Sequence, residues 1–271
     1  MSAARRSPSS GADTRLGGGA AIGLPWRERV LIGAVLAALA LLSWLYLYAQ
    51  MQPMAEMAEM APAAFAPWGA ADFALNFAFW WAMMPGMMLP SAAPMILTFA
   101  AVNRRKRERG QPYVPTAVFT AGYLAAWGLF GAAATLADWG LERAALIAPQ
   151  TQALGPLLAA VVVGAAGLYQ LTPLKSVCLA HCRSPLDFVL NHWREGAAGA
   201  LRMGVEHGFY CLGCCWFLMG LMFAAGIMSL LWMAAIAAFV LVEKLVPAGL
   251  WLTRAAGLAM LGFALYQLTR L

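Results

Sequence analysis

The sequence predicts an all-α fold, a polytopic transmembrane helical bundle of about six to seven spans, each needing about 20 apolar residues. Three observations carry that prediction. First, the chain of 271 residues is 62% hydrophobic and 11% charged, where a soluble domain has roughly 45–50% and about 25%. Second, apolar runs of about 18 residues or more recur along the chain, long enough to cross a bilayer core as helices. Third, the basic residues sit in short blocks between those runs, where Lys and Arg set membrane orientation. The surplus of apolar residues makes the lipid bilayer the first expected partner. The net charge of +6 is accounted for by the same blocks, so no nucleic acid is expected as a partner.

Residues 1–24 are rich in Ser, Gly, Ala and Arg without apolar periodicity, and read as a disordered basic tail. Residues 25–49 hold the first span: the apolar run 30–49 follows Arg27 and Arg29 and has no small-residue cleavage site after it. Residues 50–72 read as a Met-rich outer loop. Residues 73–271 form the main transmembrane domain, with runs at 73–101, 117–137, 155–172, 203–226, 229–246 and 250–269. The last two runs are open to a second reading, a hairpin that dips into the membrane without crossing. Arg104, Arg105, Lys106, Arg107 and Arg109 form one basic block, and Lys175, Arg183, Arg194 and Arg202 a second. Both blocks belong in the cytoplasm, and alternation then puts the N-terminus there too.

Within the run 73–101, Met83 with Met87 and Met84 with Met88 are i, i+4 pairs that would line a pore. Pro85, Gly86, Pro90 and Pro94 should break or kink that helix. Such interruptions are tolerated in a membrane where the freed backbone groups meet protein or water. The alternative is that these methionines are adaptable core filler.

All five cysteines and all three histidines fall between positions 178 and 215. At about 100° per residue, a helix puts His207, Cys211, Cys214 and Cys215 within an arc of roughly 100°. Gly204 and Gly208 lie on or beside that arc and let another backbone approach, so this face should look into the bundle. Cys178, His181 and Cys182 share one helical turn at i, i+3 and i+4. Thiolate and imidazole are soft or borderline donors that select copper(I) or zinc over hard cations. A soft metal held between the two segments, with copper(I) the expected ion and zinc the second candidate, is therefore one reading. Buried cysteine acting as a small hydrophobe is another. A disulfide is disfavoured by a cytoplasm-facing position. His192 reads as an interfacial histidine.

The chain has 16 methionines. Met51, Met54, Met57 and Met60 repeat every third residue in the outer loop, a spacing that resembles the extracellular methionine motifs of eukaryotic copper importers. A plain Ala- and Met-rich linker is the competing reading. Glu206 is a candidate to orient a ligating imidazole, and Glu243 with Lys244 should snorkel to the interface. No phosphate-binding loop, zinc-protease or nucleophile-elbow motif is present, so the chain is not expected to be an enzyme.

The strings Met87-Met-Leu-Pro-Ser-Ala-Ala-Pro-Met95, Gly167-Leu-Tyr-Gln-Leu-Thr-Pro-Leu-Lys175, Cys178-Leu-Ala-His-Cys-Arg-Ser-Pro-Leu186, Gly208-Phe-Tyr-Cys-Leu-Gly-Cys-Cys-Trp216 and Leu231-Trp-Met233 resemble, in order, a bacterial family. It is the predicted metal-binding integral membrane proteins catalogued as domain of unknown function 2182. The resemblance covers residues 73–270 and leaves Met51–Met60 outside. Pro85-Gly86 departs from the simpler methionine run of that family. The resemblance implies a multi-pass protein of the bacterial inner membrane with a metal site. It also implies that Cys178, His181, Cys182, His207, Cys211, Cys214 and Cys215 are the family's own Cys/His positions.

The leading expectation is thus a membrane protein that binds, transports or delivers copper(I) through Met83, Met84, Met87, Met88 and the Cys/His cluster. Its expected partners are other membrane subunits or a periplasmic metal carrier. The alternative is a thiol-redox or assembly-factor subunit of a larger membrane complex, in which Cys214-Cys215, or Cys178 with Cys182, cycles between thiol and disulfide.

Overall fold

The computed structural model describes residues 23–60, 67–148, 153–227, 229–246 and 249–271, with the side chains of 52–60 outside that description. The predicted basic tail lies outside it except at Gly23 and Leu24. So do residues 61–66 of the predicted outer loop and the side chains of Met54, Met57 and Met60.

The described residues form helices α1 (Trp26–Met60), α2 (Ala70–Glu108), α3 (Thr116–Arg143), α4 (Pro156–Gln170), α5 (Pro173–Arg183), α6 (Pro185–Asn191), α7 (Gly196–Ala225), α8 (Leu230–Leu245) and α9 (Gly249–Leu268). One small antiparallel pair, β1 (Ile147–Ala148) with β2 (Ala153–Leu154), joins α3 to α4. The all-α prediction holds. Local chemistry explains several boundaries. Pro173 opens α5, and the Thr172 hydroxyl accepts from the Lys175 amide at 3.4 Å. Ser229 caps α8 by accepting from Trp232. Gly226 ends α7 at φ 92°, a conformation side chains disfavour.

Three differences from the sequence reading have physical causes. The helix α1 runs on through Met60, so residues 50–60 of the expected loop are helical: Ala, Met, Gln and Glu are good helix formers. Every predicted run forms a helix, but α4 has 15 residues and α8 has 16, short of the roughly 20 needed to span. Among the described residues five helices are long and apolar enough to cross a membrane, or six if α4 and α5, bent by 65°, count as one broken span. Finally, α2 stays a continuous helix of 39 residues with Pro85, Pro90 and Pro94 inside it. Pro90 has no N–H to give the Gly86 carbonyl four residues back. The Trp44 indole of α1 donates to that carbonyl instead, at 3.2 Å.

The helices α3 and α7 meet backbone to backbone. A Cβ on Gly204 would overlap the Phe119 carbonyl, one on Gly122 would overlap the Leu201 carbonyl, and one on Gly208 would come within 2.5 Å of the Ala126 Cβ. The predicted glycine face is thus the contact face. At one end of the bundle, Glu28 pairs with Arg104, and Lys106 pairs with Glu195 and lies 4.6 Å from the Trp193 ring centroid. The starts of α1 and α7 and the end of α2 therefore share a basic end. At the other end, Trp68 donates to Glu142 at 2.6 Å and Asn76 to Asp138 at 2.8 Å, tying the start of α2 to the end of α3.

Replacing Gly204 with Leu should force α3 and α7 apart, at a cost of about 1–3 kcal/mol or more. Thermal unfolding of the purified variant checks this: a clear fall in Tm is expected, and an unchanged Tm contradicts the close contact.

Candidate metal centre

A stripe of small, sulfur-bearing and aromatic side chains faces inward along α7: Met203, Gly204, His207, Gly208, Cys211, Cys214, Cys215, Leu218, Met219 and Met222 are all buried. The spacing of three and four residues puts them on one helical face. From α2, Met83, Met84, Met87 and Met88 are buried in the same core. From α5, Cys178 and Cys182 reach toward α7: Cys178 Sγ would lie 2.7 Å from a Cβ on Gly213, so the absence of a side chain there admits it.

Sulfurs from three helices meet. Cys215 Sγ lies 3.9 Å from Met88 Sδ, and Cys182 Sγ lies 4.0 Å from Cys214 Sγ. All five cysteines are free thiols, so no disulfide is present. The Cys214 and Cys215 thiols donate to the Cys211 carbonyl at 3.0 and 2.9 Å. Cys211 has polar company of its own. The Tyr123 hydroxyl of α3 is 3.1 Å from its sulfur, and the Lys244 ammonium of α8 is 2.9 Å from it and 3.1 Å from Ser91 Oγ.

Behind this cluster is a buried ion pair. Lys175 meets Glu243 at 2.8 Å with both side chains fully buried, and Thr253 donates to the same carboxylate at 2.6 Å. It links α5, α8 and α9. The expectation that Glu243 and Lys244 snorkel to the interface is therefore overturned: α8 is short, so its last turn ends among other helices and both side chains pair inside. Lys175, counted from sequence in a cytoplasmic basic block, is likewise a core residue.

The predicted site residues divide by geometry. Cys182, Cys211, Cys214, Cys215 and Met88 are brought together, and Cys178 stands beside them. His181 is turned elsewhere, stacked on Tyr210 with centroids 4.2 Å apart and its Nδ1 2.9 Å from the Val177 carbonyl. His207 lies among the rings of Tyr123, Phe119 and Phe188, at 5.6, 6.2 and 5.5 Å, with no partner for its Nδ1. Glu206 does not orient it, but pairs with Arg194 at 3.2 Å and Arg202 at 3.7 Å. His192 is half-buried and stacks on Phe188. Met83, Met84 and Met87 pack in the core. Among the described residues no group of three or more His, Cys, Asp and Glu side chains is disposed to hold a metal ion.

What the arrangement offers is sulfur in pairs. Two sulfurs bound to one ion at about 2.3 Å each are at most about 4.6 Å apart. The separations of 3.9 and 4.0 Å fall within that reach. Copper(I) is satisfied by two or three soft ligands, while structural zinc takes four in a tetrahedron. The donor set is therefore one of paired soft sulfurs, the kind that selects copper or zinc over hard cations. Tyr123, Ser91 and Lys244 were missed from sequence; the signal for Lys244 was an ionisable residue at the end of an apolar run, the kind that marks a functional interior.

A family model described as PpoB2, copper chaperone, matches residues 77–267. That stretch holds every cysteine and the buried methionines of α2, and leaves α1 outside. No curated protein and no solved structure matches the chain.

Breaking the buried pair by Glu243→Gln should cost about 3–5 kcal/mol, since it strands the Lys175 ammonium. Replacing both partners, as Lys175→Met with Glu243→Leu, should recover much of that loss. Chemical denaturation of the three proteins checks it: equal loss in the single and double variants contradicts the assignment.

Proposed function

The chain belongs to the PpoB2 copper chaperone family, and on that premise we propose that it is a multi-pass membrane protein which carries copper(I) on the sulfur cluster of α2, α5 and α7. One observation carries the reading: Cys182 with Cys214, and Cys215 with Met88, form two close sulfur pairs in the interior from three different helices. The apolar outer surface of α1, with Val30, Leu31, Leu41, Leu42 and Leu45 exposed, supports a lipid environment. The shared end of Arg104, Lys106 and the start of α1 supports a cytoplasmic placement of that end in a bacterial inner membrane.

In this reading copper(I) is cargo. It passes by ligand exchange, each incoming sulfur bonding before the outgoing one leaves, with no change in oxidation state. Met88 hands the ion to Cys215, Cys182 with Cys214 forms the onward pair, and Met83, Met84 and Met87 keep further thioethers packed in the core along α2. Each cysteine that takes the ion releases its thiol proton, ultimately to water, as the sulfur–copper bond forms; thioethers are neutral and thiolates anionic, so the ion moves from weaker to stronger donors. Another membrane subunit or a soluble carrier outside the membrane completes delivery.

A second reading keeps the redox class: Cys182 and Cys214, at 4.0 Å, need to close by about 2 Å to form a disulfide. Mass-spectrometric thiol alkylation separates the two. Copper carriage protects these thiols only when the metal is bound; redox cycling changes their labelling after mild oxidation without metal.

Elemental analysis of protein purified after copper loading tests the leading reading. Cys214→Ser and Cys215→Ser should each lower the bound copper several-fold, and His181→Ala should retain it. Full copper content in both serine variants contradicts the proposal.

A further inference from the structure

Away from the sulfur cluster, at the end of the bundle opposite Arg104 and Lys106, a carboxylate is buried without a cation. Asp138 of α3 is 1% exposed, and among the described residues no lysine, arginine or histidine pairs with it. The basic residue nearest in sequence, Arg143, lies over the Trp139 ring, 5.5 Å from its centroid. Asn76 of α2 donates its amide to Asp138 Oδ2 at 2.8 Å, which orients the carboxylate without neutralising it. The other oxygen of each group, Asp138 Oδ1 and Asn76 Oδ1, is buried and has no hydrogen-bond partner. Both are acceptors, so neither can satisfy the other. The Trp80 indole, one turn along α2 from Asn76, is likewise unpartnered. Turned onto Asp138, it would add a second N–H to the carboxylate and still no charge. Buried charges are paired or bound to metal ions, and two acceptor oxygens on touching groups call for a positive charge that both can face.

We propose that Asp138 and Asn76 bind a hard monovalent cation of the sodium class, and that the ion joins the start of α2 to the end of α3. The atoms on offer are carboxylate and amide oxygens, which suit hard cations and not copper(I). Only one carboxylate is fully buried there, so a single positive charge balances it; Glu142, one turn along α3, is half-buried and accepts from Trp68 at 2.6 Å. Asn76 is also half-buried, so the site opens toward that end of the bundle. An ionisable residue inside an apolar helix is costly and is kept where an ion is handled. The site is separate from the sulfur pairs: Asn76 and Met88 are 12 residues apart on the continuous helix α2, about 18 Å of rise.

Thermal unfolding of the full-length purified protein, without added copper, in sodium chloride and in choline chloride at equal concentration tests this. Wild type should unfold about 2–4 °C higher in sodium, because an ion that binds only the folded state stabilises it. Asp138→Asn keeps the shape, loses the charge and should unfold at the same temperature in both salts. Asn76→Leu removes the amide oxygen and should shrink the sodium effect, and it carries the test if Asp138→Asn does not fold. Equal Tm for wild type in the two salts overturns the site and leaves Asp138 protonated or held by N–H groups alone. A sodium effect that survives in Asp138→Asn puts the ion elsewhere and also overturns it. Greater stabilisation by calcium chloride at equal ionic strength overturns the monovalent assignment. All of these outcomes are read independently of copper content, so they leave the copper reading to its own test.

Discussion

Everything at the centre of this molecule depends on how closely α3 and α7 approach. Glycine at 122, 204 and 208 removes the side chains that would hold the two backbones apart, and the neighbours on each helix are brought into contact. Tyr123, next to Gly122, consequently reaches across to the Cys211 sulfur, and its ring covers His207. With α7 held in that rotation, its remaining inward positions are set, and Cys214 and Cys215 point at α5 and α2 rather than outward. A packing constraint thus becomes a chemical one. The thiols are delivered to a place where water does not compete for them.

The second determinant is the cost of charge in such a place. Two lysines and a glutamate buried without partners would be intolerable, and here each has one: Lys175 with Glu243, and Lys244 with the cysteine cluster. These contacts also do positional work. Lys175 lies on the same short helix as Cys178 and Cys182, so its ion pair with α8 holds α5 in its bent course after α4 and keeps Cys182 within 4.0 Å of Cys214. The same residues that satisfy electrostatics therefore assemble the sulfur pairs, and loss of the pair should loosen Cys182 as well as the fold.

Much of this was legible in the sequence, and the exceptions share one cause. Apolar runs gave the helices, because burial of nonpolar surface is recorded residue by residue. The periodicity of His207, Cys211, Cys214 and Cys215 gave the inward face of α7, and Gly204 with Gly208 gave its contact face. What local pattern does not record is a partner supplied from elsewhere in the chain. The prolines of α2 read as breaks, since Trp44, which satisfies Gly86, lies 42 residues away. Lys175 read as part of a cytoplasmic basic block and Lys244 as interfacial, since their partners are on other helices and the shortness of α8 is not visible in its hydropathy. His181 read as a ligand from its spacing to Cys178 and Cys182, whereas stacking on Tyr210 draws it aside. The clustering of soft ligands in the sequence was a sound guide to the class of chemistry and a weaker one to which of them meet.

The central claim is that this interior presents sulfur, and little else, to a copper ion. X-ray absorption at the copper edge on protein loaded with copper(I) addresses it directly. The account predicts two or three sulfur neighbours and no nitrogen or oxygen in the first coordination shell. A shell dominated by imidazole nitrogen or by oxygen would contradict it.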